Sequence, residues 1–268
     1  MSAADLRITV IQADTVWHDP QANRAHYQTL FNGLEAGSDI IVLPETFTSG
    51  FSNEAIGQAE TMHGETVAWL SAHAKALNAA ITGSVQIRDG GKVCNRMLWA
   101  MPDGTVQHYD KRHLFRMANE HERYAAGDDK TFIEYKGWRI CPLVCYDLRF
   151  PVFSRNRFNS AVPGAYDYDL LIYVANWPSP RHFAWQTLLK ARAIENLSYV
   201  VGVNRVGIDA NGLNYLGGST VLDFTGQTLV ECGIGPQTQT AHVSHAELTA
   251  FRQRFPFHLD ADDFNILD

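Results

Sequence analysis

Apolar runs and amphipathic stretches alternate along the first part of the chain. Residues 6–11 (LRITVI) and 39–43 (DIIVL) are mostly apolar and rich in β-branched side chains, which is typical of strands buried on both faces. Residues 23–36 and 64–77 instead repeat their apolar side chains at helical spacing, which predicts helices with one buried face. The pattern therefore predicts strand, helix, strand and helix in succession.

The next part of the chain is richer in strands. Apolar segments predict strands over residues 80–87, 93–101 and 105–109. Turn-forming sequences separate them, Asp-Gly-Gly at 89–91 and Pro-Asp-Gly at 102–104. Strands joined by such short turns are expected to pair as hairpins.

The second half of the chain returns to alternation. Buried strands are predicted over residues 138–144, 168–175 and 199–204, with a helix over 182–196 between the last two. A hairpin is predicted over 220–230. Because strands and helices alternate at both ends with hairpins between them, we expect an α/β protein with mixed sheets covered by helices.

We expect residues 1–268 to form a single domain, since no linker, repeat or low-complexity tract interrupts a chain of this length. The C-terminal tail, residues 248–268, carries Phe255, Phe257 and Phe264 among acidic residues. No further predicted strand or helix follows these rings, so little of the domain core is left for them to pack into. The tail is therefore expected to pack either on a partner subunit or back on its own subunit.

Composition and charge exclude several classes of protein. Hydrophobic residues make up 46% of the chain and charged residues 19%, as in ordinary globular domains. The formal net charge of −7 and the lack of a long basic run argue against nucleic-acid binding. No apolar run approaches the ~20 residues of a membrane span, and the N-terminus lacks the pattern of a signal peptide. We therefore expect a cytoplasmic protein without membrane contact.

The four cysteines, Cys94, Cys141, Cys145 and Cys232, are expected to be free thiols in that compartment. They form no C-x-x-C pair, and Cys141 and Cys145 would need histidine partners to bind a metal. The sequence therefore predicts neither a disulfide nor a metal site.

Three chemically reactive side chains come directly after predicted strands: Glu45, Lys111 and Cys145. Ligands gather at the carboxyl ends of strands in open α/β sheets. Each residue alone has an ordinary explanation, as a solvated carboxylate, an exposed lysine and a buried inert thiol. Together they suit nucleophilic catalysis. A buried carboxylate can take the proton of a thiol, and a lysine can stabilise the thiolate and then the oxyanion.

The segments PETF (44–47), DKRHLF (110–115) and CYDLRFP (145–151) resemble the three signature motifs of the nitrilase superfamily, the carbon–nitrogen hydrolases. They occur in the order and at the separations typical of that family. The likeness extends to LRITVIQAD near the N-terminus and to ARAIEN and VGVNRVG later in the chain. The resemblance implies a four-layer αββα sandwich of two mixed sheets flanked by helices, a homodimer, and no metal or organic cofactor.

The same resemblance implies a role for each motif residue. Glu45 matches the base, Lys111 the lysine that stabilises the oxyanion, and Cys145 the nucleophile. The family has a second glutamate in the loop after the lysine. Glu120 resembles that residue, and Glu122 is a nearby alternative.

The residues after the nucleophile indicate a branch of the family. True nitrilases usually show Cys-Trp-Glu, whereas this chain has Cys-Tyr-Asp at 145–147. That sequence resembles the amidase branch, and most closely the ω-amidases, which deamidate 2-oxoglutaramate and 2-oxosuccinamate. The backbone N–H of Tyr146 is expected to help bind the oxyanion. The alternatives are another activity of the family, on N-carbamoyl amino acids or aliphatic amides, and a catalytically silent binding module on the same fold.

A dicarboxylate monoamide brings a distal carboxylate, which needs a cationic partner in a desolvated pocket. Arg149, Arg181 and Arg205 lie near predicted strand ends, and the sequence does not choose among them. Asn176 and Trp177 end the strand that follows the nucleophile. We expect them either to line the substrate pocket or to pack in the core.

Overall fold

Most of the predicted strands are apolar on both faces, and a sheet accommodates such strands only when both of its faces are covered. The computed structural model describes residues 3–158, 166–262 and 264–266, and it arranges the strands of this part in two six-stranded sheets and a two-stranded ribbon. In the same part, no helix combines the length and the apolar character that crossing a bilayer requires.

The strands are β1 Leu6–Gln12, β2 Ile40–Val42, β3 Ala80–Asp89, β4 Lys92–Ala100, β5 Val106–Asp110, β6 Ile133–Tyr135, β7 Trp138–Val144, β8 Leu170–Ala175, β9 Tyr199–Asn204, β10 Val206–Ile208, β11 Asn214–Leu216, β12 Thr220–Leu222, β13 Thr228–Glu231 and β14 Gln237–Val243. The helices are α1 Pro20–Asn32, α2 Glu65–Leu77, α3 Pro151–Ser154, α4 His182–Asn196 and α5 His245–Arg254.

The two large sheets share one pattern of pairing. The first has the order β14-β1-β2-β3-β4-β5, with β1, β2 and β3 parallel and the other neighbours antiparallel. The second has the order β13-β12-β9-β8-β7-β6, with β7, β8 and β9 parallel. Parallel strands end at the same edge of their sheet, so each sheet offers a group of neighbouring carboxyl ends.

The sheets pack face to face through a shared apolar core. Ile8 and Val10 of β1 belong to the same buried cluster as Leu143 of β7 and Val201 of β9. Ile11 of β1 joins a second cluster, which contains side chains of α1 and α2. Successive side chains of a strand point to opposite faces of the sheet, so the apolar side chains of β1 contribute to both clusters.

Helix α4 covers the outer face of the second sheet. Its buried side chains Trp185 and Leu189 lie over Gly202 of β9. A Cβ atom on Gly202 would lie 2.5 Å from Leu189 Cδ1 and 2.9 Å from Trp185 Cζ2, so only glycine permits this close approach. With α1 and α2 on one sheet and α4 on the other, the predicted αββα sandwich is confirmed.

The predicted elements are present with changes at their ends. Helix α1 begins at Pro20 rather than at residue 23, because the carboxylate of Asp19 caps it. Asp19 Oδ1 accepts the N–H of Ala22 at 2.9 Å, and Pro20 is tolerated in the first helical turn. The helix ends before Gly33 instead of continuing to residue 36.

Several strands and one helix of the structure are not predicted from the sequence pattern. Strand β14 (QTQTAHV) lies at the edge of the first sheet and is largely exposed, so its sequence is polar and predicts no buried strand. Strands β6, β10 and β11 span 3 residues each, which is too short to show a period. Helix α5 has only Leu248 and Arg252 buried, so its apolar face is narrow.

The first part of the C-terminal tail folds onto its own chain. In α5, Leu248 belongs to the core between the sheets, and Phe251 packs on Phe224 with ring centroids 4.7 Å apart. The contact considered between the rest of the tail and a partner subunit stays a prediction.

The carboxylate of Asp169 ties α5 to the second sheet. It accepts hydrogen bonds from Arg252 Nη1 at 2.7 Å and from the backbone N–H of Arg139 at 3.1 Å, and His245 Nε2 lies 3.7 Å away. Burial alone would raise the pKa of Asp169. The nearby His245 and the charges of Arg252 and Arg139 outweigh burial and hold the pKa of Asp169 well below its usual range.

Replacing Asp169 by asparagine should destabilise the fold strongly. The variant leaves the buried guanidinium of Arg252 without its carboxylate, so we expect the free energy of unfolding, measured in urea, to fall by about 3–5 kcal/mol. The matched control is Asp5→Asn at an exposed carboxylate, which should change that free energy by less than about 0.5 kcal/mol.

The pH dependence of the same measurement checks the cause. Because the pKa of Asp169 is lowered in the folded state, its contribution is complete above about pH 4, the usual pKa of an unfolded aspartate, and is lost as the pH falls below it. The difference in stability between the wild type and Asp169→Asn should therefore shrink between about pH 5 and pH 2. A difference that stays constant over this range would contradict the assignment.

Candidate active site

The structure brings the three predicted catalytic side chains together. Glu45 lies just beyond β2 in the first sheet, Lys111 directly follows β5, and Cys145 directly follows β7 in the second sheet. Lys111 Nζ is 3.0 Å from Glu45 Oε1, and all three side chains line one cavity. Strand ends of both sheets therefore converge on a single site.

The Glu45 carboxylate is fully buried and has a donor on each oxygen. Oε1 accepts from Lys111 Nζ at 3.0 Å and from Asn95 Nδ2 at 2.8 Å, and Oε2 accepts the backbone N–H of Asn176 at 2.7 Å. The side chain of Asn176 donates to the Glu45 carbonyl oxygen at 2.8 Å. Donors of this kind fix the orientation of a carboxylate anion and stabilise it.

Lys111 lies between two buried carboxylates. Its Nζ is 3.0 Å from each carboxylate oxygen of Glu120, and Glu120 Oε2 also accepts the backbone N–H of Phe115 at 2.6 Å. Burial by itself would lower the pKa of Lys111. The charges of Glu120 and Glu45 outweigh burial and raise that pKa well above its usual value, so Lys111 stays a cation.

The structure places Glu120, and not Glu122, beside the lysine. Glu120 is fully buried, whereas Glu122 is exposed to solvent. Burial raises the pKa of Glu120; the Lys111 ammonium opposes this shift, and the charge of Glu45 adds to it. Glu120 therefore occupies the position that the resemblance assigns to the second glutamate.

Cys145 lies at an abrupt turn, where β7 ends and a 3-10 turn begins. Its φ of +45° is in the left-handed region, which residues other than glycine rarely adopt. The buried carboxylate of Asp147 holds this turn: it accepts the backbone N–H of Val144 at 2.9 Å and the hydroxyl of Tyr109 at 2.8 Å. His113 Nδ1 lies 2.7 Å from the same carboxylate. Asp147 thereby also ties the turn at Cys145 to the chain around the end of β5.

The thiol of Cys145 is protonated at neutral pH. Burial is the main cause that raises its pKa well above the usual range. The charge of Glu45 adds to this shift, and the Lys111 ammonium offsets only part of it. The thiolate is the nucleophilic form of cysteine, so attack requires a base that takes the proton as the bond forms. Glu45 lines the same cavity as the thiol and its charge acts on it, so Glu45 is the candidate for that task.

The cavity is small, and aromatic side chains form part of its wall. Its volume is about 80 Å³, well below the roughly 300–1,000 Å³ of pockets for drug-sized ligands, so only a small substrate fits. Tyr146 lines the cavity, with its ring packed edge-on against Phe115 and Phe150. The oxyanion contact of its backbone N–H stays a prediction. The lining residues that the sequence analysis does not single out are Phe51, Phe115, Ala118, Pro178, Leu213 and Tyr215.

Asn176 and Trp177 both line this cavity. The side-chain amide of Asn176 donates to the Glu45 backbone and to Thr46 Oγ1 at 3.0 Å, so it holds Glu45 in place. Thr46 has a φ of +44°, a strained value for a β-branched residue. The indole N–H of Trp177 donates to the Arg181 carbonyl oxygen at 2.7 Å, which fixes the ring as part of the wall.

The three candidate arginines lie in different places. Arg149 and Arg181 line the cavity, each with its guanidinium stacked over an aromatic ring of the wall. Arg205 is fully buried outside the lining, with Nη2 2.7 Å from Asp14 Oδ1 and its guanidinium over the ring of Tyr215. The role of binding a distal carboxylate therefore does not fit Arg205.

Sequence analysis does not identify Asn95, which contacts Glu45 directly. Asn95 lies within β4 (KVCNRMLWA) and is 1% exposed. The signal in the sequence is an uncharged polar residue at a buried strand position. A buried polar residue of this kind can belong to a site or can simply satisfy a hydrogen bond in the core. The sequence alone does not distinguish these two roles, and the contact with the Glu45 carboxylate does.

Comparisons with known proteins agree with the motifs. The family model described as carbon-nitrogen hydrolase matches residues 7–253. The chain is 48% identical over 262 residues to the omega-amidase YafV of Escherichia coli K12, covering 97% of this chain and 98% of that protein. It is 31% identical over 252 residues to the 2-oxoglutaramate amidase of Bacillus subtilis, covering 93% and 95%.

A solved structure shows the same fold. The crystal structure of a CN-hydrolase superfamily protein from Xanthomonas campestris is 58% identical, has a TM-score of 0.96, and covers 98% of this chain and 99% of that chain. This chain therefore belongs to the carbon–nitrogen hydrolase family. The predicted membership of that family and the predicted likeness to ω-amidases are confirmed.

Alkylation of the native protein should separate Cys145 from the other cysteines. Cys94, Cys141 and Cys232 are buried, whereas Cys145 is partly exposed and faces the cavity. We expect iodoacetamide to modify Cys145 first, as followed by peptide mass spectrometry, and Cys145→Ala to lose the fast phase. Because the pKa of Cys145 is raised, the thiolate ultraviolet absorbance at neutral pH should be equal in the wild type and in Cys145→Ala. An absorbance difference between them would contradict a protonated resting thiol.

Proposed function

We propose that this protein is a cysteine-dependent amidase that hydrolyses the terminal amide of a small 2-oxo dicarboxylic acid monoamide, such as 2-oxoglutaramate or 2-oxosuccinamate. The products are the 2-oxo dicarboxylic acid and ammonia, and the intermediate is a thioester on Cys145. One observation carries the proposal: a thiol, a buried carboxylate and a buried ammonium line one small cavity, with Lys111 Nζ 3.0 Å from Glu45.

The first half of the reaction forms the thioester. Glu45 takes the proton of Cys145 as Sγ attacks the amide carbon, and the carbonyl oxygen becomes an oxyanion. The Lys111 ammonium and the backbone N–H of Tyr146 stabilise that charge. Glu45 then returns the proton to the leaving nitrogen, and ammonia departs as the C–N bond breaks. The raised pKa of the Cys145 thiol supports a base that acts during the attack.

The second half hydrolyses the thioester. Glu45 takes a proton from water, the oxygen attacks the thioester carbon, and Lys111 again stabilises the oxyanion. The C–S bond breaks, the sulfur regains a proton from Glu45, and the carboxylic acid leaves. Glu120 touches Lys111 and the backbone of Phe115, so its role is to position the lysine.

Charge at the cavity supports a substrate with a carboxylate. Arg149 and Arg181 both line the cavity, and no carboxylate of residues 3–158, 166–262 and 264–266 forms an ion pair with either guanidinium. Arg181 is half-buried and Arg149 is exposed. A guanidinium without a carboxylate partner at the wall of a cavity favours an anionic ligand. The relatives described as omega-amidase and 2-oxoglutaramate amidase support the same substrate class.

Ammonia release from a set of amides tests the proposal. We expect rapid release from 2-oxoglutaramate, and slow or no release from glutamine, an N-carbamoyl amino acid, an aliphatic amide and a nitrile. Cys145→Ala should keep its fold, as measured by thermal unfolding, and lose at least about 1,000-fold in kcat, because the catalytic groups act as a unit.

The other outcomes identify the alternatives. Preference for the carbamoyl compound or the aliphatic amide would assign another activity of the family. No release from any compound would favour a silent binding module, and normal release by Cys145→Ala would overturn the assigned nucleophile.

Removing either cavity arginine should weaken binding of the anionic substrate specifically. We expect Arg149→Gln and Arg181→Gln to lower kcat/KM for 2-oxoglutaramate by about 10- to 100-fold, mainly through KM, because a desolvated carboxylate loses its partner. Activity on a neutral aliphatic amide should change much less. Arg254→Gln, at an exposed position on α5, is the matched control and should change neither value. Equal losses for charged and neutral amides would contradict a carboxylate contact.

A further inference from the structure

Asn95 contacts both the proposed base and the proposed oxyanion-binding lysine. Its side-chain Nδ2 donates to Glu45 Oε1 at 2.8 Å, and its backbone carbonyl accepts the backbone N–H of Lys111 at 3.0 Å. Lys111 Nζ reaches the same Oε1 at 3.0 Å. One residue in the middle of β4 thus fixes the carboxylate and the start of the lysine side chain relative to each other.

The fold gains little from an amide at this position. Asn95 is 1% exposed, and its Oδ1 has no hydrogen-bond partner within the described part of the chain. A buried acceptor without a partner destabilises a fold, and an apolar side chain of similar shape would avoid that cost. The remaining benefit of the amide is its hydrogen bond to Glu45.

Ionisable groups surround Glu45 on several elements. Lys111 faces it from the end of β5, Glu120 and Tyr124 from the loop beyond, and Cys145 from the end of β7. Of these, the Lys111 ammonium attracts the Glu45 carboxylate, whereas a charged Glu120 repels it. A neutral donor on Oε1 supports the anion without adding another charge.

We propose that Asn95 is a positioning residue for the reaction: its amide donates to the Glu45 carboxylate and orients it toward Cys145. This inference rests on the proposed function, in which Glu45 is the base. Asn95 does not line the cavity, so it acts through Glu45 rather than on the substrate.

Two substitutions of Asn95 test the proposal. In Asn95→Leu the donor is lost together with the unpartnered acceptor, so kcat should fall by about 10- to 100-fold with KM unchanged. The acidic limb of the pH profile of kcat/KM should move up by about one pH unit, because a donor that favours the charged carboxylate is gone. In Asn95→Asp a second carboxyl faces Glu45 and the pair shares a proton, so the acidic limb should move further still.

Thermal unfolding separates positioning from a structural role. We expect the Tm of Asn95→Leu to equal or exceed that of the wild type. The matched control is Gln86→Leu, which removes a buried amide from the residue paired with Asn95 on β3. The Gln86 amide binds Ser49 and Gly50 instead of Glu45. That variant should lower the Tm and leave the acidic limb in place. If Asn95→Leu is overpacked and unfolds early, Asn95→Ala replaces it with the same expected shift.

A second readout does not depend on turnover. The pH dependence of Cys145 alkylation senses the charge of Glu45, so its inflection should move upward in the order wild type, Asn95→Leu, Asn95→Asp. The proposal is overturned if the Asn95 variants keep the wild-type alkylation inflection and the wild-type acidic limb of kcat/KM, and lose activity only in proportion to their loss of Tm. If the wild type releases no ammonia from any amide, or Cys145→Ala remains active, the proposed function fails instead, and the alkylation profiles still decide whether Asn95 controls Glu45.

Discussion

The Lys111 ammonium, 3.0 Å from Glu45 and from both carboxylate oxygens of Glu120, is the interaction on which the rest of the site depends. Two carboxylates buried this close together repel each other, and without the cation one of them would take up a proton. The Lys111 ammonium offsets this repulsion by binding both carboxylates. Burial and the charge of Glu45 raise the pKa of Cys145, so the proposed mechanism starts from a thiol rather than a thiolate.

The architecture has to bring distant strands together to build this group. Glu45 follows β2 and Lys111 follows β5, and in the sheet β3 and β4 lie between these strands. Asn95 on β4 spans part of that gap, and Cys145 arrives from the facing sheet at the end of β7. The site therefore depends on the packing of the two sheets, because a separation of the sheets would part the Cys145 thiol from Glu45 and Lys111.

The sequence predicts some strands and some site residues and misses others. Strands covered on both faces are mostly apolar and are predicted, whereas the exposed edge strand β14 is polar and is not. Glu45, Lys111 and Cys145 stand within recognisable local motifs. Asn95 does not, because its partner lies 50 residues away and the bond exists only once β2 and β4 share a sheet. Position at a strand end suggested Arg205 for the cavity, but its side chain points to Asp14 instead.

Peroxides and other oxidants react with the thiolate form of cysteine far faster than with the thiol. Cysteine enzymes that keep a standing thiolate beside a histidinium expose that anion between turnovers. In the proposed mechanism Cys145 rests as a thiol behind aromatic walls, and it ionises only when an amide carbon is in reach. The carboxylate environment that delays ionisation therefore also gives the idle enzyme chemical durability under oxidative stress.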